Sequence, residues 1–132
     1  LANRPVQKGT LITSLLFPDA FDWVSAYYRE VRVGFDYPAF TVSVLARKNG
    51  SRIERVRVAL SGGTDRVTRL TELEEALNGA DLSKVSSLDL RKMGTARFGR
   101  KPAGSPEYLS EIAAVQVERC VKSALFREEE TR

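Results

Sequence analysis

The feature that most constrains this chain is a change in the spacing of its apolar residues near the middle. Phe40, Val42, Val44 and Ala46 alternate with Thr41, Ser43 and Leu45, and Val56, Val58 and Leu60 alternate with Arg55, Arg57 and Ala59. A period of two puts one set of side chains on one face of a strand and the other set on the opposite face. Asn49-Gly50 lies between the two runs, a dipeptide that tolerates the positive φ of tight turns, so the segments are expected to form a hairpin with a connection somewhat longer than two residues. The face carrying Arg55 and Arg57 is expected to be wet or covered by a partner. Further along, Leu70, Leu73 and Leu77 repeat at helical spacing. So do Leu109, Ile112, Ala113, Val117, Cys120, Val121, Ala124 and Leu125, opposite Glu111, Glu118, Arg119 and Lys122.

The flanking segments extend both patterns. Leu11, Thr13, Leu15 and Phe17 interleave with Ile12, Ser14 and Leu16 until Pro18, which predicts an opening strand well covered on both faces. Residues 27–33 are rich in aromatic and β-branched side chains and read as extended, with Tyr27 and Tyr28 pointing to opposite faces and residues 34–38 forming a turn. Thr71 and Glu74 stand at capping-box spacing, and Gly79 is placed to stop that helix. A less regular helix is predicted over 82–93. The last helix has Ser105 as N-cap, Pro106 at its first position and Glu107 complementing the dipole. Residues 94–104, with their glycines and basic side chains, read as a mobile surface loop. Strands followed by helices point to an α+β fold: a two-layer sandwich, an antiparallel sheet of three or four strands followed by three helices on one face.

Size and composition narrow the function. A chain of 132 residues, 42% hydrophobic, closes one core, so residues 1–132 read as a single domain. There is no histidine, which removes His-based triads and His-containing zinc sites. The lone Cys120 cannot form an internal disulfide, a dithiol pair or an iron–sulfur site, and on its helix stripe it reads as a small buried hydrophobe. No apolar run approaches the roughly 18 residues of a membrane span, and no secretory leader is visible, so a cytoplasmic setting is the default. The first residue is Leu1, not a methionine, which suggests an excised or processed piece with something upstream. Basic residues outnumber acidic ones by 21 to 17, spread along the chain, and nucleic acid is not an expected partner.

Three local signals carry competing readings. Ser61-Gly62-Gly63-Thr64-Asp65 imitates a phosphate-cradling loop after a strand, although an ordinary turn is the favoured account. Arg91, Lys92, Arg97, Arg100 and Lys101 could meet phosphate but are favoured as solvated charge on a loop, and Glu74, Glu75 and Glu128 to Glu130 read as exposed carboxylates with no cleft between them.

Several landmarks occur in a familiar order. They are the strand closed by Pro18, then Tyr27-x-Arg29-x-x-Arg32-x-x-x-Asp36-Tyr37, then Val58-Ala59-Leu60-Ser61-Gly62-Gly63, Glu75-Ala76-Leu77-Asn78-Gly79, and Gly104-Ser105-Pro106-Glu107-Tyr108. Together the chain resembles the C-terminal domain of the FAD-binding subunit of molybdenum hydroxylases, the carbon monoxide dehydrogenase and xanthine dehydrogenase family. It departs from that pattern in having Arg97, Arg100 and Lys101 before the last helix, Leu109 after Tyr108, and Val67 where proline is common.

The resemblance implies a small sheet with three helices and a turn, 32–37, beside the isoalloxazine ring of FAD. Tyr37 is the first candidate for that contact, then Asp36 and Arg32. An aromatic ring can stack on one flavin face while an Arg and an Asp adjust the field around it. Without the resemblance, Tyr37 also fits a core or edge aromatic, Asp36 a turn-forming side chain and Arg32 a solvated charge. FAD is expected to be held mainly by an N-terminal FAD-binding domain absent from this chain, with molybdopterin and 2Fe-2S clusters in partner subunits. The isolated chain is not expected to be catalytically active, and homo-oligomers are possible. The competing expectation is a cofactor-free interaction or dimerisation module.

Overall fold

The computed structural model describes residues 7–16, 19, 21–31, 37–64 and 67–127. Four antiparallel strands, β1 (Val24–Glu30), β2 (Phe40–Asn49), β3 (Arg52–Ser61) and β4 (Val67–Arg69), form one sheet in sequence order. They are followed by α1 (Thr71–Leu77), a 3-10 turn (Leu82–Ser87), α2 (Leu90–Met93) and the long α3 (Pro106–Phe126). The α+β sandwich expected from the change of period is the fold observed.

The hairpin register explains the alternation. Val42, Val44 and Ala46 pair with Leu60, Val58 and Val56, and all six are buried on one face. α3 packs on β1 and β2 over this face, and α1 packs on β3. Val117, Val121, Ala124 and Leu125 of α3 complete the core with Phe40 and Leu60. The opposite face carries exposed Tyr27, Leu45, Arg55 and Arg57 and is covered by no element among the described residues. Tyr27 and Tyr28 do point opposite ways, Tyr28 being half-buried against Phe40.

Several local expectations are corrected. Residues 11–16 are not a strand, and Leu11, Leu15 and Leu16 are 81%, 73% and 94% exposed; Phe17 and Pro18 lie outside the described residues. Period-two patterning yields a strand only where another strand accepts its backbone, and among the described residues none lies alongside this segment. The fourth strand is instead the short β4. The hairpin loop has just two residues, Gly50 and Ser51, with Asn49 paired to Arg52 and Gly50 at φ +57°, the glycine position of a type II′ turn. The helix predicted over 82–93 is broken in two, because Asp81 and Asp89 each cap a new start by accepting from the backbone N–H of Ser83 and Lys92.

The capping box at Thr71 is not formed, and Glu74 is buried, not exposed. Its carboxylate accepts from the backbone N–H of Val58 at 2.8 Å and from Arg69 Nε at 2.7 Å. This contact belongs to a larger arrangement. β4 is too short to cover the outer edge of β3, so Leu70 N–H donates to the Val58 carbonyl, Asn78 Oδ1 accepts from Val56 N–H, and Gly79 and Ala80 exchange backbone bonds with Ile53. Side chains and a turn thus satisfy an edge that would otherwise present open hydrogen-bonding groups.

Candidate functional site

One end of the sheet gathers the β1–β2 connection, the β3–β4 connection and the loop before α3. Ala39 N–H donates to the Glu30 carbonyl at 2.8 Å, closing the first connection. Gly62 has φ +91°, and a Cβ there would sit 2.6 Å from the Ala39 carbonyl oxygen, so the two connections meet backbone to backbone. Only glycine permits both the dihedral and the approach.

A lysine ties the two together. Lys101 Nζ donates to the Ala39 carbonyl at 2.7 Å and to the Gly62 carbonyl, while lying 5.9 Å from the centre of the Phe98 ring. Phe98 is buried, with its ring centre 5.6 Å from that of Phe40, which in turn neighbours Tyr28 at 6.2 Å. Residues 94–104 are therefore anchored into the core, and Lys101 is a half-buried clamp, not solvated charge. Arg91 is also engaged, in an ion pair with Glu118 of α3. The sequence offered a faint signal for this arrangement: Phe98 is the one large apolar residue in an otherwise polar loop.

Tyr37 stands two residues before Ala39, the residue of the connection held by Lys101. It is 96% exposed and has no hydrogen bond or ring contact among the described residues, so the core reading of this residue is set aside. Arg32 and Asp36 lie outside the described residues.

The glycine loop behaves differently. Thr64 N–H donates to the Arg97 carbonyl at 2.8 Å, the Gly62 carbonyl is taken by Lys101 and Ser61 Oγ pairs with Thr41 Oγ1, so the turn's backbone is packed against its neighbours. No cluster of three or more His, Cys, Asp or Glu that could hold a metal occurs among the described residues. Cys120 is buried on α3, and burial pushes its thiol above the ordinary value. No helix among the described residues is long and apolar enough to cross a membrane.

The fold has close counterparts. Carbon monoxide dehydrogenase from Hydrogenophaga pseudoflava superposes with a TM-score of 0.72 at 22% identity, covering 83% of this chain and 39% of that one. Carbon monoxide dehydrogenase from Oligotropha carboxidovorans gives 0.69 at 19% identity over 81% of this chain and 38% of that one. Quinoline 2-oxidoreductase from Pseudomonas putida 86 gives 0.67 at 17%, over 79% and 37%. At these identities the likeness shows the fold, and the chain spans under two fifths of each counterpart. No curated protein sequence matches. Residues 25–124 match the family model of the CO dehydrogenase flavoprotein C-terminal domain. The chain therefore belongs to the family of CO dehydrogenase flavoprotein C-terminal domains.

Proposed function

We propose that this domain serves as the C-terminal part of the FAD-binding subunit of a molybdopterin-dependent oxidoreductase, with the 32–37 turn bordering the flavin. FAD, when bound, supplies the two-electron and one-electron chemistry that links metal centres to an acceptor. The diphosphate of that cofactor is held by an N-terminal FAD-binding domain. Tyr37 limits water access to one ring face, and Asp36 and Arg32 set the local field. The domain breaks no bond itself. It supports docking of components carrying molybdopterin and 2Fe-2S clusters, from which electrons reach FAD.

The observation that carries this reading is Tyr37, a nearly fully exposed aromatic two residues before Ala39, which Lys101 holds, in a family of flavoprotein domains. A second supports it: the exposed apolar segment 11–16 stands just ahead of the family-matched region. Such a segment fits a neighbouring domain that completes its hydrogen bonding. The test restores an upstream FAD-binding region and compares Tyr37→Ala with Tyr27→Ala on the uncovered sheet face. A shifted flavin midpoint potential or lower flavin occupancy in the first variant only is the expected result. Equal values in both would overturn the flavin-facing role. A colourless intact protein would instead favour a cofactor-free interaction module using the uncovered sheet face.

A further inference from the structure

Arg97 lines an open recess of about 530 Å³ together with Thr64, Thr68, Thr95, Ala96 and Ser110. These residues come from four places in the fold: the β3–β4 connection, β4, the loop before α3, and α3 itself. Among the described residues, the lining contains one guanidinium, four hydroxyls and no carboxylate. Arg97 makes no ion pair among the described residues.

The backbone under Arg97 is held on every side. Its own carbonyl accepts from Thr64 N–H at 2.8 Å, and the preceding Ala96 carbonyl accepts from Ser110 Oγ at 2.9 Å. The following residue, Phe98, is buried in the core. Gly63 lies so close that a Cβ would approach the Arg97 carbonyl oxygen to 2.8 Å. A long, exposed cationic side chain thus rises from an immobilised base, which lowers the cost of ordering it around a ligand. Of the hydroxyls, Thr95 Oγ1 donates to the Lys92 carbonyl and Ser110 to Ala96, while those of Thr64 and Thr68 have no hydrogen-bond partner among the described residues.

We infer that this recess binds a phosphate group, with the Arg97 guanidinium and the Thr64 and Thr68 hydroxyls donating to its oxygens. A phosphoryl dianion offers several acceptors to planar and hydroxyl donors at once, and each such bond is charge-assisted. Among the described residues, no carboxylate lines the recess to repel it. This site is independent of the flavin reading, since none of its lining residues belongs to the 32–37 turn.

The experiment titrates the protein at constant ionic strength with inorganic phosphate, and in a second arm with adenosine monophosphate, using chloride as the reference anion. Binding is followed by calorimetry and by the amide resonances of Thr64, Thr68 and Arg97. Saturable binding is expected, weakened on the order of tenfold or more by Arg97→Gln, less by Arg97→Lys, and not by Arg57→Gln on the uncovered sheet face. Thr68→Val is expected to weaken it as well with the fold unchanged by circular dichroism. Equal affinity in the two arms identifies free phosphate as the ligand; tighter binding of the nucleotide identifies a phosphorylated small molecule filling the recess. No saturable binding of either, or the same loss with Arg57→Gln, would overturn the proposal.

Discussion

At the residue scale, single side chains stand in for regular structure where the chain runs out of it. Lys101 spans two connections that share no strand pairing, and its removal leaves the Ala39 and Gly62 carbonyls without that donor. Lys101→Met keeps the aliphatic stem against Phe98 but forfeits both bonds, and is expected to lower stability by about 1–3 kcal/mol in urea denaturation. Tyr28 behaves as a pH-sensitive contact. Its hydroxyl donates to Glu30 Oε2 at 2.6 Å, and this bond, then burial, pushes the phenol up to about 12. A folded value above the unfolded one, about 10, means that the contribution is whole below pH ~10 and is lost as pH rises toward the folded value. The difference in urea midpoint between the native protein and Tyr28→Phe should therefore shrink across that alkaline window. A difference independent of pH would show that the hydroxyl contributes nothing through this bond. The sequence foretold the inward and outward placement of Tyr28 and Tyr27, because alternation encodes it. It did not foretell Lys101, whose role depends on carbonyls 62 and 39 residues away along the chain.

At the element scale, the hairpin and α3 were legible and the pieces around α1 were not. Period two over 40–46 and 56–60, and the stripe from Leu109 to Leu125, each record burial against one surface, which is why they survive translation into structure. Glu74 shows the limit of such reading. Its spacing from Thr71 fits a capping box, yet the carboxylate turns to Val58 N–H and Arg69, because β3 needs an acceptor beyond the end of β4. Local spacing cannot reveal a demand made by another strand. Glu74→Ala leaves a buried N–H and the Arg69 guanidinium without their acceptor, and a loss of about 3–5 kcal/mol is expected from equilibrium unfolding. Glu74→Gln, which retains an acceptor for Val58, should lose less. Equal losses would show that charge alone accounts for the contact. Residues 11–16 fail for the complementary reason: their alternation is genuine, and among the described residues no strand lies beside them to complete it.

At the scale of the whole molecule, the helices cover one sheet face, α1 seals the β3 edge, and the exposed features are left at defined places. These are Tyr37 close to the Lys101-held Ala39, the apolar segment 11–16, and the open face with Tyr27, Leu45, Arg55 and Arg57. In the function proposed above, an upstream flavin-holding domain is the partner of the first two; the fold itself matches about two fifths of larger chains. At the proposed site, the aromatic character of Tyr37 and its position beside Pro38 were legible; the Lys101 bond to the nearby Ala39 carbonyl was not. The most direct test of the flavin-bordering claim is the emission of the bound flavin in the intact subunit, because an aromatic side chain stacked on the ring quenches it. Brighter, longer-lived flavin fluorescence in Tyr37→Leu than in the native protein, with Tyr37→Phe nearer the native value, is the result this account predicts. Identical emission from all three at equal flavin occupancy would contradict it.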